Sequence, residues 1–345
     1  MASLTWEEPE STYRVPFQEP EAALTTMEQL PGFGTAIGEV LLPTYKLYAP
    51  LLLKQAAAIK ATQRECFTYG KHPRQQLDLY TPVDSPRSQT KLVIFLYGGG
   101  LVRGDKINPN FPEGLVYANV GHFFAERLGC KVVIPDYRLI SHGARFPSGG
   151  EDLALVIQFV QENIQHDSSR PLSLHIIGNS AGGVHLATYL FAPQFAASRQ
   201  RILGQDAANV RLTGVTFLAA PFHFDQAAAE RAETLTAYYG KDVRQLAPLG
   251  LLRASKEDGS LNDLREVSVQ VLTGSLDPKT EILVPKDDFV KEWHGAEVVS
   301  NNLSEVVMEG HNHISPVLSL GTGIEAEEAW GHQVLDFIKQ AVLKH

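Results

Sequence analysis

A serine hydroxyl becomes a useful nucleophile at neutral pH only when a general base lies within hydrogen-bond reach and a third group orients that base. One serine in this sequence is placed for such partners. The apolar run Leu172 to Ile177 stops at Gly178-Asn179-Ser180-Ala181-Gly182, and an apolar, helix-capable segment follows at once. The stretch fits G-x-S-x-G, in which the serine takes a strained conformation on a strand-to-helix turn and only small neighbours avoid clashing with its backbone. The pentapeptide alone is a weak signal; the strand before it and the helix after it give it weight. A phosphate-binding loop is the rival reading, but no Gly-Lys-Ser/Thr follows and there is no G-x-G-x-x-G.

The orienting acid is expected after the serine in chain order, and the base after the acid. Asp277 stands in the turn that follows the apolar strand VSVQVLTG, in GSLDP. A turn-forming Asp-Pro pair is the plainer account of it, but its place beyond an apolar strand favours the catalytic one. Asp136 also ends a strand, yet it precedes the serine and reads as structural. The loop after VVMEG offers His311 and His313 as the base. A metal pair from this His-x-His would need further ligands, and no third cluster is evident nearby. An oxyanion formed on the substrate needs backbone N–H donors. Tyr97-Gly98-Gly99-Gly100 follows the strand KLVIFLYG and can supply them, together with the N–H of Ala181 at the positive end of the following helix.

These residues need a scaffold that brings strand ends together. From residue 75 onward, strand-like segments at 75–81, 91–98, 131–138, 172–178, 212–220, 267–274 and 304–310 alternate with helix-like ones at 112–128, 149–165, 181–192, 285–294 and 325–343. Several strands are short, continuously apolar and β-branched, the mark of a mostly parallel sheet buried on both faces. The expected class is therefore α/β, with helices on both sides of an open sheet. Ligands in such sheets bind beyond the carboxyl ends of the strands, which sets the glycine loop, Ser180, Asp277 and the two histidines along one rim.

The connection from Ala220 to Val267 is far longer than a tight α/β loop and is expected to build part of a cap over the rim. The interrupted apolar stretch 34–61, broken by Pro43 and Pro50 among others, is expected to form two or three short amphipathic helices. The two apolar faces are expected to bury each other above the serine, enclosing a mostly apolar pocket of ~300–1,000 Å³. Phe222, Phe224, Tyr238 and Tyr239 would supply its side chains. The domain reading is thus residues 1–65 as N-terminal cap helices, 66–221 and 266–345 as the core, and 222–265 as the cap insertion.

Composition narrows the partners. The chain has 345 residues, 44% of them hydrophobic, and a net charge of −9, which argues against nucleic acid because a phosphate-tracking surface needs clustered Lys and Arg. Cys66 and Cys130 match no zinc or redox spacing and suit a reducing compartment. The first residues, MASLTWEEPESTYRV, are acidic where a secretory signal would be basic, and no stretch is long and apolar enough for stable membrane insertion. A cytoplasmic enzyme acting on a small molecule, without cofactor or metal, is the expectation. A homodimer is compatible with this reading, though no residue demands one.

With these motifs in order, the sequence resembles an alpha/beta hydrolase of the hormone-sensitive-lipase-like group, the "alpha/beta hydrolase fold-3" esterases, and is also similar to kynurenine formamidase-type relatives. YGGG corresponds to the group's HGGG, DYRLISHGARFPSGGEDL to its DYRLAPE…FPA…ED segment, GNSAGG to its GDSAGG, SLDP to its acid turn, and Gly310-His311-Asn312-His313 to its G-x-x-H. The resemblance implies a helical cap on an alpha/beta-hydrolase fold and a Ser180–His313–Asp277 triad, with His311 in reserve. It also implies an oxyanion hole from Gly99, Gly100 and Ala181, with Gly98 shaping the loop.

Three departures concern the substrate more than the chemistry. Tyr97 replaces the histidine before the glycines, Leu101 replaces a common aromatic residue of the acyl pocket, and Asn179 replaces the aspartate beside the nucleophile. The expected function is hydrolysis of a small-to-medium, largely apolar ester or lactone, with Leu101, Phe222 and Tyr238 contacting it. An acyl-transfer or lactone-forming enzyme, an amidase or formamidase, and a non-catalytic binding protein of the same fold are the alternatives.

Overall fold

The computed structural model describes residues 25–84, 90–164, 170–204, 207 and 209–344. Residues 1–24 of the expected N-terminal segment therefore lie outside the described residues.

The described strands are β1 (Gln63–Thr68), β2 (Gln76–Thr81), β3 (Lys91–Leu96), β4 (Lys131–Pro135), β5 (Leu172–Asn179), β6 (Val210–Leu218), β7 (Ser268–Leu276) and β8 (Leu303–Asn312). They form one sheet in the order β1-β2-β4-β3-β5-β6-β7-β8. β1 and β2 pair antiparallel, β2 pairs antiparallel with β4, and from β4 through β8 every pairing is parallel. The sequence reading omitted β1. Its residues QRECFT are almost all exposed at the sheet edge, so the strand lacks the apolar run by which the central strands announce themselves.

Alternation along β3 shows why the sheet is buried on both sides. Leu92, Ile94 and Leu96 pack with Leu153, Val156 and Leu186 on one face. Val93 and Phe95, with Tyr97 just beyond, pack with Phe123, Phe124 and Trp330 on the other. Side chains two apart share a face, so both helical layers, Ser148–Asn163 with Ala181–Phe191 and Leu115–Leu128 with Glu325–Leu343, find an apolar partner.

The N-terminal segment differs from expectation. In place of two or three short helices, one helix runs from Ile37 to Lys54 with Pro43 and Pro50 inside it, followed by a short helix Ala56–Ala61. Each proline removes an N–H and crowds the preceding turn. The helix persists because Val40, Thr44, Tyr48 and Leu52, spaced four apart, are all buried, whereas both prolines sit off that stripe. Tertiary burial of one face outweighs two local breaks.

The insertion also divides. Its second part, with Leu249, Leu251 and Leu252, belongs to the main core beneath the helix Ala181–Phe191. Its first part carries the helix Ala232–Tyr239, whose Leu235, Tyr238 and Tyr239 pack with Leu101, Ala144, Ala181 and Val184. Tyr48 and Leu52 of the N-terminal helix belong instead to the cluster on the Trp330 side of the sheet. Among the described residues, the two cap segments thus do not share an apolar cluster; each is anchored separately to the core.

Candidate active site

Ser180 lies between β5 and the helix Ala181–Phe191 with φ +50° and ψ −117°, a conformation costly for a residue with a Cβ. Its amide donates to Leu218 O at 2.8 Å, and its carbonyl accepts from the amides of Gly183 (2.9 Å) and Val184 (3.3 Å). The glycine requirement is steric: a Cβ on Gly182 would stand 2.1 Å from Leu96 O. Only a bare Cα lets the elbow helix start this close to the end of β3.

Three side chains meet at the strand ends. Ser180 Oγ lies 3.0 Å from His313 Nε2, and His313 Nδ1 lies 2.7 Å from Asp277 Oδ1. A carboxylate only accepts, so Nδ1 carries the ring proton and Nε2 is left to accept from the serine. Asp277 is buried, and its Oδ2 accepts the Gly274 amide at 2.7 Å, which fixes the carboxylate within its own turn. The β7–β8 register, pairing Leu276 with Asn312, brings the acid turn and the histidine loop side by side. His311 takes a different role: it is buried, its Nδ1 meets Ser315 Oγ at 2.9 Å, and burial pulls its pKa down to about 4.

The glycine loop packs against the elbow. The side chain of Ser180 is next to Gly98, and Gly99 and Gly100 have φ of +146° and +64°. A Cβ on Gly99 would fall 1.8 Å from Arg103 O. The Ala181 amide opens its helix, where N–H groups have no intrahelical acceptor.

Tyr97 braces this loop. Its hydroxyl donates to Asp136 Oδ1 at 2.6 Å and accepts from an Arg74 guanidinium N–H at 3.0 Å. Its ring stacks between Tyr117 and Tyr137, with centroids 5.2 and 4.8 Å away, and the Tyr137 hydroxyl donates to Tyr97 O at 2.9 Å. Burial raises the Tyr97 pKa well above that of an ordinary phenol, so the group stays a neutral donor. Burial is also the largest influence on Asp136, holding its pKa above the usual carboxylate value against the hydrogen bonds from Tyr97 and the Lys106 amide. Arg74 ties further parts together, donating to Gly104 O, Tyr137 O and Asp105. Arg138, in the DYR segment, pairs with Asp152 and Glu151 at the start of the next helix.

Ser180 and His313 open into a cavity of about 1050 Å³. One wall is apolar, from Ile37, Leu41, Leu42 and Tyr45 of the N-terminal helix with Val317 and Leu318. Polar side chains also border it, among them Arg103, Asp105, Asn108, Glu230, Arg231, Lys279 and Glu281. Among the described residues, no group of three or more His, Cys, Asp or Glu is arranged to hold a metal ion. No described helix is long and apolar enough to cross a membrane.

Comparison with known proteins agrees with this architecture. Residues 77–210 match the BD-FAE family. Medium-chain fatty acyl-CoA hydrolase precursor of Anas platyrhynchos is 27% identical over 212 residues, covering 58% of this chain and 34% of that protein. Liver carboxylesterase 1 of Mus musculus is 27% identical over 211 residues, covering 58% and 33%. The chain thus spans about a third of the length of these curated relatives. Esterase B from Lactobacillus rhamnosis superposes with a TM-score of 0.60 at 16% identity, over 87% of this chain and 94% of that one. A fungal esterase from Rhizomucor miehei gives a TM-score of 0.57 at 18% identity, over 86% and 92%. The chain has the alpha/beta-hydrolase fold. The relatives and structures named here bear on the esterase side of the resemblance, not on the kynurenine formamidase side.

Within this hydrolase fold, the expected substrate contacts are placed elsewhere. Leu101 has φ +75°, which turns its side chain under the elbow helix beside Ala181 and Val184, where it is buried. Phe222 is fully buried and stacked on Phe289 at 3.9 Å. Tyr238 is buried with its hydroxyl accepting from the Gly149 amide at 3.3 Å. All three pack beneath the cavity rather than lining it, because large apolar surface gains more from the core than from a wet rim. The cavity lining is mostly apolar, as expected, although six charged side chains, Arg103, Asp105, Glu230, Arg231, Lys279 and Glu281, also border it. His223, at the start of the insertion, meets Asp288 at 3.1 Å and does not line the cavity.

Sequence reasoning missed Arg74, Arg103 and Lys279. Arg103 and Lys279 were findable, since each lies within a few residues of a motif, the glycine loop or the acid turn. Arg74 lies in a loop with no pattern, and only the folded chain brings it to Tyr97.

Proposed function

We propose that the chain is a serine hydrolase of carboxylic esters, with Ser180 as nucleophile, His313 as general base and acid, and Asp277 orienting the imidazole. The observation that carries this reading is the Asp277–His313–Ser180 hydrogen-bonded line at a strained elbow, facing the cavity. Ser180 Oγ attacks the ester carbonyl carbon while its proton passes to His313 Nε2. The developing oxyanion is held by the amides of Gly99, Gly100 and Ala181. As the C–O bond to the alcohol breaks, His313 returns the proton to the departing oxygen, leaving an acyl-serine. Water, deprotonated by the same imidazole, then attacks the acyl carbon and releases the acid. Asp277 orients the imidazole and stabilises the imidazolium.

The carboxylesterase and acyl-CoA hydrolase names of the relatives support acyl transfer to water. The apolar wall from Ile37 to Tyr45 supports an acyl or alcohol chain of small-to-medium length, in an open-chain ester or a lactone. The test is labelling with a fluorophosphonate, read by intact mass, alongside turnover of 4-nitrophenyl esters of graded chain length. The wild-type chain takes up one phosphonyl group and Ser180→Ala takes up none, with a turnover loss of about 10⁴–10⁶-fold. Retention of a tenth of the activity by folded Ser180→Ala would overturn the mechanism. Incorporation of ¹⁸O from labelled water into the acid product distinguishes hydrolysis from internal acyl transfer.

A further inference from the structure

The cavity lining carries three cations, Arg103, Arg231 and Lys279, and three carboxylates, Asp105, Glu230 and Glu281, but they are not all paired with one another. Asp105 is held by Arg74 at 2.7 Å, and Glu281 by Arg231 at 3.3 Å, with the Arg231 guanidinium also over the Phe224 ring. Both of these pairs are internally satisfied. That leaves Arg103 and Lys279 on the cavity wall with no ion pair or side-chain hydrogen bond among the described residues, against one unpaired carboxylate, Glu230.

The main chain of Arg103 is fixed relative to the reacting atoms, and the residue itself is exposed at the cavity. Its amide donates to Gly99 O at 3.1 Å, and its carbonyl occupies the space a Cβ on Gly99 would need. Its main chain is therefore clamped to the glycine loop beside Ser180, while its side chain borders the cavity near Tyr45 at the apolar wall. Cation, apolar wall and nucleophile together suit an ester with a carbon chain that ends in an anion. A planar carboxylate matches the guanidinium fork.

We propose that Arg103, assisted by Lys279, selects esters bearing a carboxylate remote from the scissile bond, with the chain between them lying along the wall Ile37–Tyr45. This inference rests on the ester-hydrolase reading. The test compares mono-4-nitrophenyl adipate with its adipamate, in which a neutral carboxamide replaces the carboxylate at nearly equal size. In the wild type the kcat/KM ratio of adipate to adipamate exceeds one and declines as salt is added, because the contact is partly solvated.

Arg103→Gln lowers that ratio about tenfold, the low end for a hydrogen bond to a charged group. Arg103→Lys keeps most of it, the Arg103→Gln/Lys279→Gln double variant abolishes it, and Glu230→Gln raises it. Using a ratio cancels any general damage to the loop, and fluorophosphonate labelling confirms that each variant is folded. A wild-type ratio of one or less, or a ratio unmoved in the double variant, overturns the inference. If the wild type neither labels nor cleaves 4-nitrophenyl butyrate, the ester-hydrolase reading fails instead; if it does both without preferring the adipate, only the present inference fails.

Discussion

Replacing Tyr97 with phenylalanine tests whether the phenol braces the oxyanion loop. The ring is buried and stacked between two tyrosines, so phenylalanine keeps the packing and removes only one oxygen. The 2.6 Å bond to Asp136 and the 3.0 Å bond from Arg74 go with it, as does a longer 3.3 Å contact to Gly104 O. Arg74 retains Asp105, Gly104 O and Tyr137 O, so its loss is small. Asp136 retains the Lys106 amide at 2.6 Å but loses its phenol donor. A buried hydrogen bond to a charged group contributes about 1.5–3 kcal/mol, equivalent to roughly 2–4 °C in melting temperature for a chain of this size.

The penalty is also pH-dependent, with a sign that can be worked out. The Tyr97 bond lowers the Asp136 pKa against the larger effect of burial, so it favours the ionised carboxylate. Its loss costs most above the raised Asp136 pKa and less as pH falls through it, where the carboxyl is protonated with or without the phenol. Because no donor is removed, kcat should fall about tenfold, less than the 10²–10³-fold seen when an oxyanion donor is lost outright. Thermal melts from pH 7 to pH 4 and steady-state kinetics on one ester measure both effects. An unchanged melting temperature and kcat at pH 7 would refute the bracing role.

His313→Ala should lose about 10⁴-fold or more in kcat/KM, whereas His311→Ala should show its main effect as a lower melting temperature, since His311 is buried against Ser315; the reverse pattern would move the base to His311. Acid should destabilise the fold through buried histidines. His311 is held to about 4, and His175 and His185 to about 3, by burial. They stay neutral in the folded state while the unfolded chain takes up protons below about pH 6.5, so their stabilisation is present above that pH and is lost as pH falls toward 4. Asp136 and Glu327, raised by burial, act in the opposite direction. The difference between wild type and His311→Gln isolates one histidine, and its denaturation free energy should depend on pH less steeply by about 1.4 kcal/mol per unit between pH 6 and 4. Gly182→Ala, whose Cβ would meet Leu96 O at 2.1 Å, should destabilise by about 1–3 kcal/mol or more and abolish fluorophosphonate labelling; normal labelling would show that the elbow helix can shift.

What sequence alone determined was whatever is written in contiguous residues. The central strands are continuous apolar runs, because a strand covered on both faces has no polar side to show. The elbow is written as glycines around a serine, because its backbone geometry excludes larger side chains. Asp277 was legible as a residue following such a strand, and the base only as one of His311 and His313, between which the family resemblance favoured His313. The edge strand Gln63–Thr68 was not, since an exposed edge needs no apolar pattern. Nor was the single helix through Pro43 and Pro50, which depends on the core that buries Val40, Thr44, Tyr48 and Leu52.

Tertiary structure alone decided which aromatic residues face the cavity. Phe222 and Tyr238 have the same composition signal whether they line a pocket or fill a core, and the fold put them in the core. It also decided the charge of the cavity. Arg74 and Asp105, or Arg231 and Glu281, cancel only because separated segments meet, and Arg103 finds no ion pair among the described residues for the same reason. Local sequence carries backbone preference and apolar patterning, but pairing between distant charges exists only once the chain has folded.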